Sequence, residues 1–314
     1  MDTLSHAVIG FAVAGLSGHP VSFTDPVYLA AAFGSQAPDL DIIAHLRGNF
    51  SYIRQHRSFS HSILGVCLWS AVISTLLFYL FPETAFSTLL FWSFAGAFSH
   101  VLTDYFNTHG AAIFWPFQRK RKSVQLLNVF DPILITAMLS VYAWEAPIRH
   151  QSFAALTVLF LYILLRALLR KRTSTWIQQA FYKEKMIQLA VMPSLKRILF
   201  WDFVLLTENR YIVGQIGALY PVLEVHADLP KPSALSELAI EAQKTFIGDF
   251  FTSFSPYVYF EERTTSNCLL VNIYDLRYML NQQFLHRATV FFDHNKKPIV
   301  SIMHSYGKTV KLPC

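Results

Sequence analysis

The stretch Gln55-His56-Arg57-Ser58-Phe59-Ser60-His61-Ser62 runs straight into residues 63–81, ILGVCLWSAVISTLLFYLF, which carry no charge before Pro82-Glu83 breaks the run. A bilayer core of ~30 Å takes ~20 apolar residues in helical form, so this run reads as a transmembrane helix and makes the chain a membrane protein. Two imidazoles, His56 and His61, stand at its entry. Neutral imidazole is the commonest protein metal ligand, and ionisable groups at a membrane boundary are costly to keep without a partner.

Working outward, residues 84–103 form a second span whose only ionisable group is His100. Residues 130–144 read as a third span and residues 151–169 as a fourth, with Arg166 near its end. On the N-terminal side, residues 3–18 and 27–37 are apolar but short. Gly18-His19-Pro20 ends the first, and Pro38 ends the second because the residue before proline avoids helical geometry. The expected fold is an α-helical membrane bundle of about four transmembrane helices plus an N-terminal short-helix hairpin.

Composition sets the other boundary. The 314 residues are 53% hydrophobic and 15% charged, with a mean hydropathy of +0.35, which is unusual for a purely soluble protein. The apolar excess lies before residue 170, so Arg170-Lys171-Arg172 separates a helical membrane domain (1–172) from a small cytoplasmic α+β domain (173–314). In the latter, residues 176–189 read as an amphipathic helix. Residues 198–206 and 211–219 read as strands joined through Thr-Glu-Asn-Arg, residues 233–251 as a further helix, and 288–292 and 299–304 as paired strands.

The formal net charge of +6 is clustered at residues 119–122 and 170–172, beside apolar runs. That favours the cytoplasmic face of a bacterial cytoplasmic membrane over nucleic acid, and membrane lipid becomes the expected partner. Alternating spans put these clusters and the loop carrying Arg47, Arg54 and Arg57 on one side, with both termini cytoplasmic. Cys67, Cys268 and Cys314 have neither metal-type nor disulfide-type spacing. The N-terminus lacks the basic region of a cleavable signal.

Residues four apart share a helix face. Asp2 with His6, and His100 with Asp104, are such pairs, each offering an imidazole and a carboxylate to one centre. Adding His56 and His61, the expected metal ligands are Asp2, His6, His56, His61, His100 and Asp104. Asp39 and Asp41 follow a helix-stopping proline, where one ligates and the other orients a ligand or water; both are candidate general bases. Mixed nitrogen and oxygen donors suit zinc, manganese or iron, with zinc or manganese expected. Each residue alone has an ordinary explanation: Asp2, Asp39 and Asp41 as caps or turn formers, Asp131 as a cap before Pro132, the histidines as packed or interfacial side chains. Their coincidence at the end assigned to the cytoplasm by arginine and lysine argues for convergence.

At these residues the chain resembles the bacterial membrane-bound metal-dependent hydrolase family that includes YdjM. The resemblance rests on Met-Asp-Thr-Leu-Ser-His at 1–6, Ala-Pro-Asp-Leu-Asp at 37–41, His-Arg-Ser-Phe-Ser-His-Ser at 56–62, and Ser-His-Val-Leu-Thr-Asp with Thr-His-Gly within 99–110. It covers roughly residues 1–170 and implies hydrolysis. A more distant similarity is to zinc-dependent phospholipase C and P1-type nucleases, whose His-x-x-x-Asp helix is matched by His100 and Asp104. Those enzymes are secreted and use an N-terminal tryptophan, whereas this chain begins Met-Asp. The expectation is an integral membrane hydrolase acting on a phosphoester or lipid-linked substrate, with Arg57 as a phosphate-binding side chain. The rival is a non-catalytic membrane scaffold with a structural metal.

Overall fold

The computed structural model describes residues 1–40, 59–118, 121–265, 268–280, 282–305 and 308–312. The chain folds as two compact units, Met1–Leu169 and Arg170–Cys314.

In the first unit short polar residues start the helices. The Asp2 carboxylate accepts from the backbone of Leu4 and Ser5 at the head of α1 (Thr3–Gly15), and Asp25 does the same for α2 (Pro26–Gln36), where Pro26 loses no needed donor. A 3-10 turn (Phe59–His61) and the Ser62 cap lead into α3 (Ile63–Leu80), followed by α4 (Phe86–Phe106). Asp131 caps α5 (Pro132–Ser140), which tightens into a 3-10 turn (Val141–Ala143) before α6 (Ile148–Ala180).

Among the described residues, α3, α4 and α6 are long and apolar enough to cross a membrane. Leu76, Phe91, Phe98, Leu161 and Leu168 stand exposed on them, as a lipid-facing surface requires. Of the expected span over 130–144, helix starts only after the Asp131 cap and ends at Ala143, so with ~1.5 Å per residue it covers ~18 Å, less than the thickness of a ~30 Å core. Its Leu134, Ile135 and Met138 are buried against Val8, Ile9 and Ala12 of α1 and Ala155 and Leu159 of α6.

Two features bring distant segments together. Where α2 crosses α4, a Cβ on Gly34 would lie 2.3 Å from the Ser93 carbonyl oxygen and one on Gly96 would lie 2.2 Å from that of Ala31. The backbones therefore touch, as small residues allow in membrane helices. The second feature is Arg166, fully enclosed on α6, which donates from Nε to the Leu126 carbonyl (2.9 Å) and from Nη2 to Asn128 Oδ1 (3.0 Å). Beside it the Tyr162 hydroxyl donates to Asp131 Oδ2 at 2.7 Å. The loop so fixed accepts, at the Val129 carbonyl, the backbone N–H of Asp2 (2.9 Å).

The second unit is α+β. β1 (Met186–Pro193), β2 (Phe200–Thr207), β3 (Arg210–Gly217) and β4 (Leu223–Pro230) form an antiparallel meander in that order. After α7 (Glu237–Lys244) and α8 (Phe246–Phe254), a second sheet has the order β11-β10-β9-β6-β5, from β5 (Val258–Thr265), β6 (Cys268–Asp275), β9 (His286–Phe292), β10 (Pro298–Ser305) and β11 (Lys308–Leu312). A small hairpin, β7 (Met279–Leu280) with β8 (Gln283–Phe284), lies between β6 and β9 in sequence. The strands expected at 198–206, 211–219, 288–292 and 299–304 are β2, β3, β9 and β10 within a residue or two at their ends. The expected helix at 176–189 is corrected: α6 ends at Ala180, and the apolar run from Met186 pairs with β2, Ala190 opposite Val204. The expected helix at 233–251 is two, because the Thr245 hydroxyl leaves the first to cap Gly248 N of the second.

Candidate metal centre

Asp39, His61, His100 and Asp104 come together at the ends of three elements. His100 and Asp104 are one turn apart on the buried face of α4. His61 closes the 3-10 turn before α3, and Asp39 lies in the turn after α2, delivered there by the glycine crossing. One donor atom from each lies within 4.8 Å of all the others.

The distances suit a coordination shell. His61 Nε2 and His100 Nε2 are 3.2 Å apart. Asp104 Oδ2 is 3.3 Å from His61 Nε2 and 3.7 Å from His100 Nε2, while Asp39 Oδ1 is 3.4 and 3.5 Å from the same two atoms. A tetrahedral ion with bonds of ~2.0–2.1 Å sets its ligands ~3.3–3.4 Å apart. The hydrogen bonds point the same way. His100 Nδ1 is 2.7 Å from the Ser35 carbonyl, one of the last in α2, and a carbonyl only accepts, so in the neutral ring Nε2 is the nitrogen with the lone pair. The His61 ring is held through Nδ1 by Ser60 Oγ at 3.0 Å. Such outer contacts fix the tautomer in metal sites. Asp39 Oδ1 is buried and finds no hydrogen-bond partner among the described residues, a costly state that a cation relieves. Burial would raise the Asp39 carboxyl, but the imidazoles of His100 and His61 outweigh it and hold the group well below the usual carboxylate range, as an anion. The residues present therefore fit a divalent metal.

Exposure distinguishes the four. The side chains of His61, His100 and Asp104 are fully enclosed, whereas that of Asp39 is 24% exposed and forms the solvent side of the group.

The remaining sequence candidates divide. His6 is buried in contact with the group, its ring stacked on that of His100 with centroids 3.5 Å apart and its Nε2 3.4 Å from Asp104 Oδ1. Asp2 is not brought in. Its carboxylate caps its own helix and accepts from the Ser5 hydroxyl, so the expectation of ligation gives way to a capping role. Asp131 is likewise a cap, and His109 Nδ1 meets Thr108 Oγ1. His56, Arg57 and Asp41 lie outside the described residues. Asp39, expected as a base, stands at ligand distance.

Several neighbours escaped the sequence reading. Asn107 donates from Nδ2 to Asp104 Oδ1 (2.6 Å) while its Oδ1 accepts from the backbone of His109 and Gly110. The Met1 α-amino group contacts Asp104 Oδ1 and lies 2.9 Å from His6 Nε2. The position of Asn107 three residues after Asp104 was a readable signal; that of Met1 depends on the Asp2–Val129 contact and left none.

The pattern of the family described as YdjM inner membrane protein matches residues 1–173, and that of the YfhP C-terminal alpha/beta plait domain matches residues 237–311. The uncharacterized protein YfhP of Bacillus subtilis (strain 168) is 30% identical over 309 residues, 94% of this chain and 92% of that protein. No solved structure matches the chain.

Proposed function

From the premise that this chain belongs to the YdjM inner membrane protein family, we propose that it is an integral membrane metal-dependent hydrolase whose reaction takes place at Asp39, His61, His100 and Asp104. The observation that carries the reading is the convergence of two imidazoles and two carboxylates inside an apolar bundle, with one carboxylate at the solvent side. A divalent ion there supplies hydroxide near neutral pH by lowering the pKa of bound water, and polarises the bond attacked. His100 and His61 hold their Nε2 atoms in place through Ser35 and Ser60. Asp39, partly exposed, is the carboxylate to which we assign the proton taken from entering water. A phosphoester, with membrane lipid as its source, is the proposed substrate class, and zinc or manganese the proposed ion.

By the positive-inside rule the basic residues Arg121-Lys122 and Arg170-Lys171-Arg172 mark the cytoplasmic side, with both termini. That orientation requires residues 132–147 to return the chain to the far side before α6 begins. A cytoplasm-specific reporter inactive after Arg172 would invert it.

The test is metal content by mass spectrometry of the detergent-purified chain beside His61→Ala and His100→Ala, then hydrolysis of an aryl phosphodiester and of phospholipid. Metal and turnover lost together in both variants support the reading. Four protein donors also suit a closed structural site. Metal bound stoichiometrically with no hydrolysis above background would favour that scaffold reading, and no metal in folded protein after reconstitution with zinc and manganese would remove both.

A further inference from the structure

The four-stranded meander of the C-terminal unit has two unlike ends. At one, the turn from β2 to β3 and the start of β1 are polar and tied by ion pairs, Arg210 to Glu184 and Asp228, and Lys185 to Glu208. At the other, antiparallel order sets the β1–β2 connection (194–199) beside the β3–β4 connection (218–222), and the Leu199 carbonyl accepts the Ala218 N–H at 2.8 Å. This second end is apolar. Leu199 is 46% exposed, Leu219 48%, Tyr220 74% and Val222 55%, with Pro221 between the last two.

Single exposed leucines are ordinary, but neighbouring apolar side chains on two joined loops form a patch that calls for a partner. The core does not need them: just inside, Trp201 and Ile216 pair across β2 and β3 and are already buried. The backbone holds them out. The Gly217 N–H donates to the Val222 carbonyl at 3.0 Å, and a Cβ on Gly217 would lie 2.5 Å from the Tyr220 carbonyl oxygen, so this turn requires glycine.

Cations stand behind the patch. Lys196 and Arg197 occupy the first loop, and the Arg197 guanidinium covers the Phe200 ring at 3.2 Å from its centroid while donating to both Glu224 oxygens at 3.0 Å. Apolar side chains in front, a tyrosine among them, and lysine and arginine set back suit the interface of a bilayer, where tyrosine lies at headgroup depth and cations meet phosphate. A bilayer is also within reach. α6 leaves its apolar stretch at Arg170-Lys171-Arg172 and stays helical to Ala180, ~15 Å beyond Arg170, whereas β1, which leads to the patch, is itself ~26 Å long.

We propose that Leu199, Leu219, Tyr220 and Val222 dock into the headgroup region of the membrane that the helices cross, giving the C-terminal unit a second attachment to the bilayer. A second copy of the chain is the other surface such side chains would seek. Side chains at loop ends spread outward, however, and a fluid interface closes around them where a rigid copy meets only some. The proposal is independent of the metal centre.

The test uses the full chain in vesicles of phosphatidylethanolamine and phosphatidylglycerol, with a nitroxide on Tyr220→Cys after Cys67, Cys268 and Cys314 are replaced by serine. Electron paramagnetic resonance should find the label more accessible to oxygen than to a water-soluble nickel chelate, and the reverse for a label on Asn209→Cys at the polar end. Adding Leu199→Ser and Val222→Ser should return the label at 220 to water. A label at 220 that reads as aqueous, or one that stays deep in the serine variant, would overturn the proposal. Spin–spin broadening at 220 that disappears on dilution with unlabelled chain, at aqueous depth, would replace the bilayer with a second copy. With the unmodified chain, a photoactivatable phosphatidylglycerol should label residues 198–222; adducts confined to the membrane-spanning helices would count against docking in the same way.

Discussion

Two buried aspartates, one in each unit, meet different environments. Asp275, at the end of β6, is 1% exposed and is closed by the Arg277 guanidinium, which donates from Nε and Nη2 at 2.7–3.1 Å, and by the Ser255 hydroxyl at 2.7 Å. Burial would raise its carboxyl, but Arg277 holds it below the ordinary value. Asp104 is no less buried: its Oδ1 meets the Met1 amino group and Asn107, but its Oδ2 faces a pair of imidazole nitrogens with a second carboxylate beyond them. A fold that only needs a buried charge neutralised supplies a fixed guanidinium. Imidazole nitrogens and carboxylates gathered 3.2–3.7 Å apart also suit a cation.

The largest expected effect breaks the comparison on the membrane side. Asp104→Asn should lose metal binding and reduce hydrolysis to background while the C-terminal unit keeps its near-ultraviolet circular dichroism; retained metal would show the group to be an ordinary polar cluster. On the other side, Arg277→Ala strands the Asp275 charge and should destabilise the C-terminal unit by ~3–5 kcal/mol in denaturant titration, with metal content unchanged.

A third buried carboxylate sharpens the contrast. Asp202 on β2 is 4% exposed, and burial pushes it up to about 7 from an ordinary 3.8. The folded state then holds a proton that the unfolded state has released. Stability is full below about pH 4, declines from there to about pH 7, and is flat above, a total of roughly 4 kcal/mol. Asp202→Asn should remove that decline in melts taken across this range. The smallest effect concerns Asp2. As a helix cap, its replacement by alanine should cost ~1 kcal/mol in stability and leave metal stoichiometry intact; loss of an ion in Asp2→Ala would restore it as a ligand.

How much of this was legible in the sequence depended on the range of the interaction. His100 and Asp104 were readable because four-residue spacing on a helix is local geometry, and His61 because it sits where an apolar run begins. That Asp39 reaches them depends on α2 and α4 touching at Gly34 and Gly96, a contact between segments far apart in sequence. Asp2 was not separable in the sequence, because a carboxylate before a helix looks the same whether it caps or ligates. The third helix came out shorter than expected because apolar composition does not reveal that Asp131 and the turn after Ser140 truncate it, and β1 was missed because a short apolar run suits strand and helix alike.

The unequal enclosure of the four ligands bears on time rather than affinity. With His61, His100 and Asp104 enclosed and Asp39 partly exposed, an ion held there would exchange past that one carboxylate, and its residence would be set by that path. Chelators should strip the protein slowly even where equilibrium favours them, and the ion found after purification then records the compartment in which the chain was loaded.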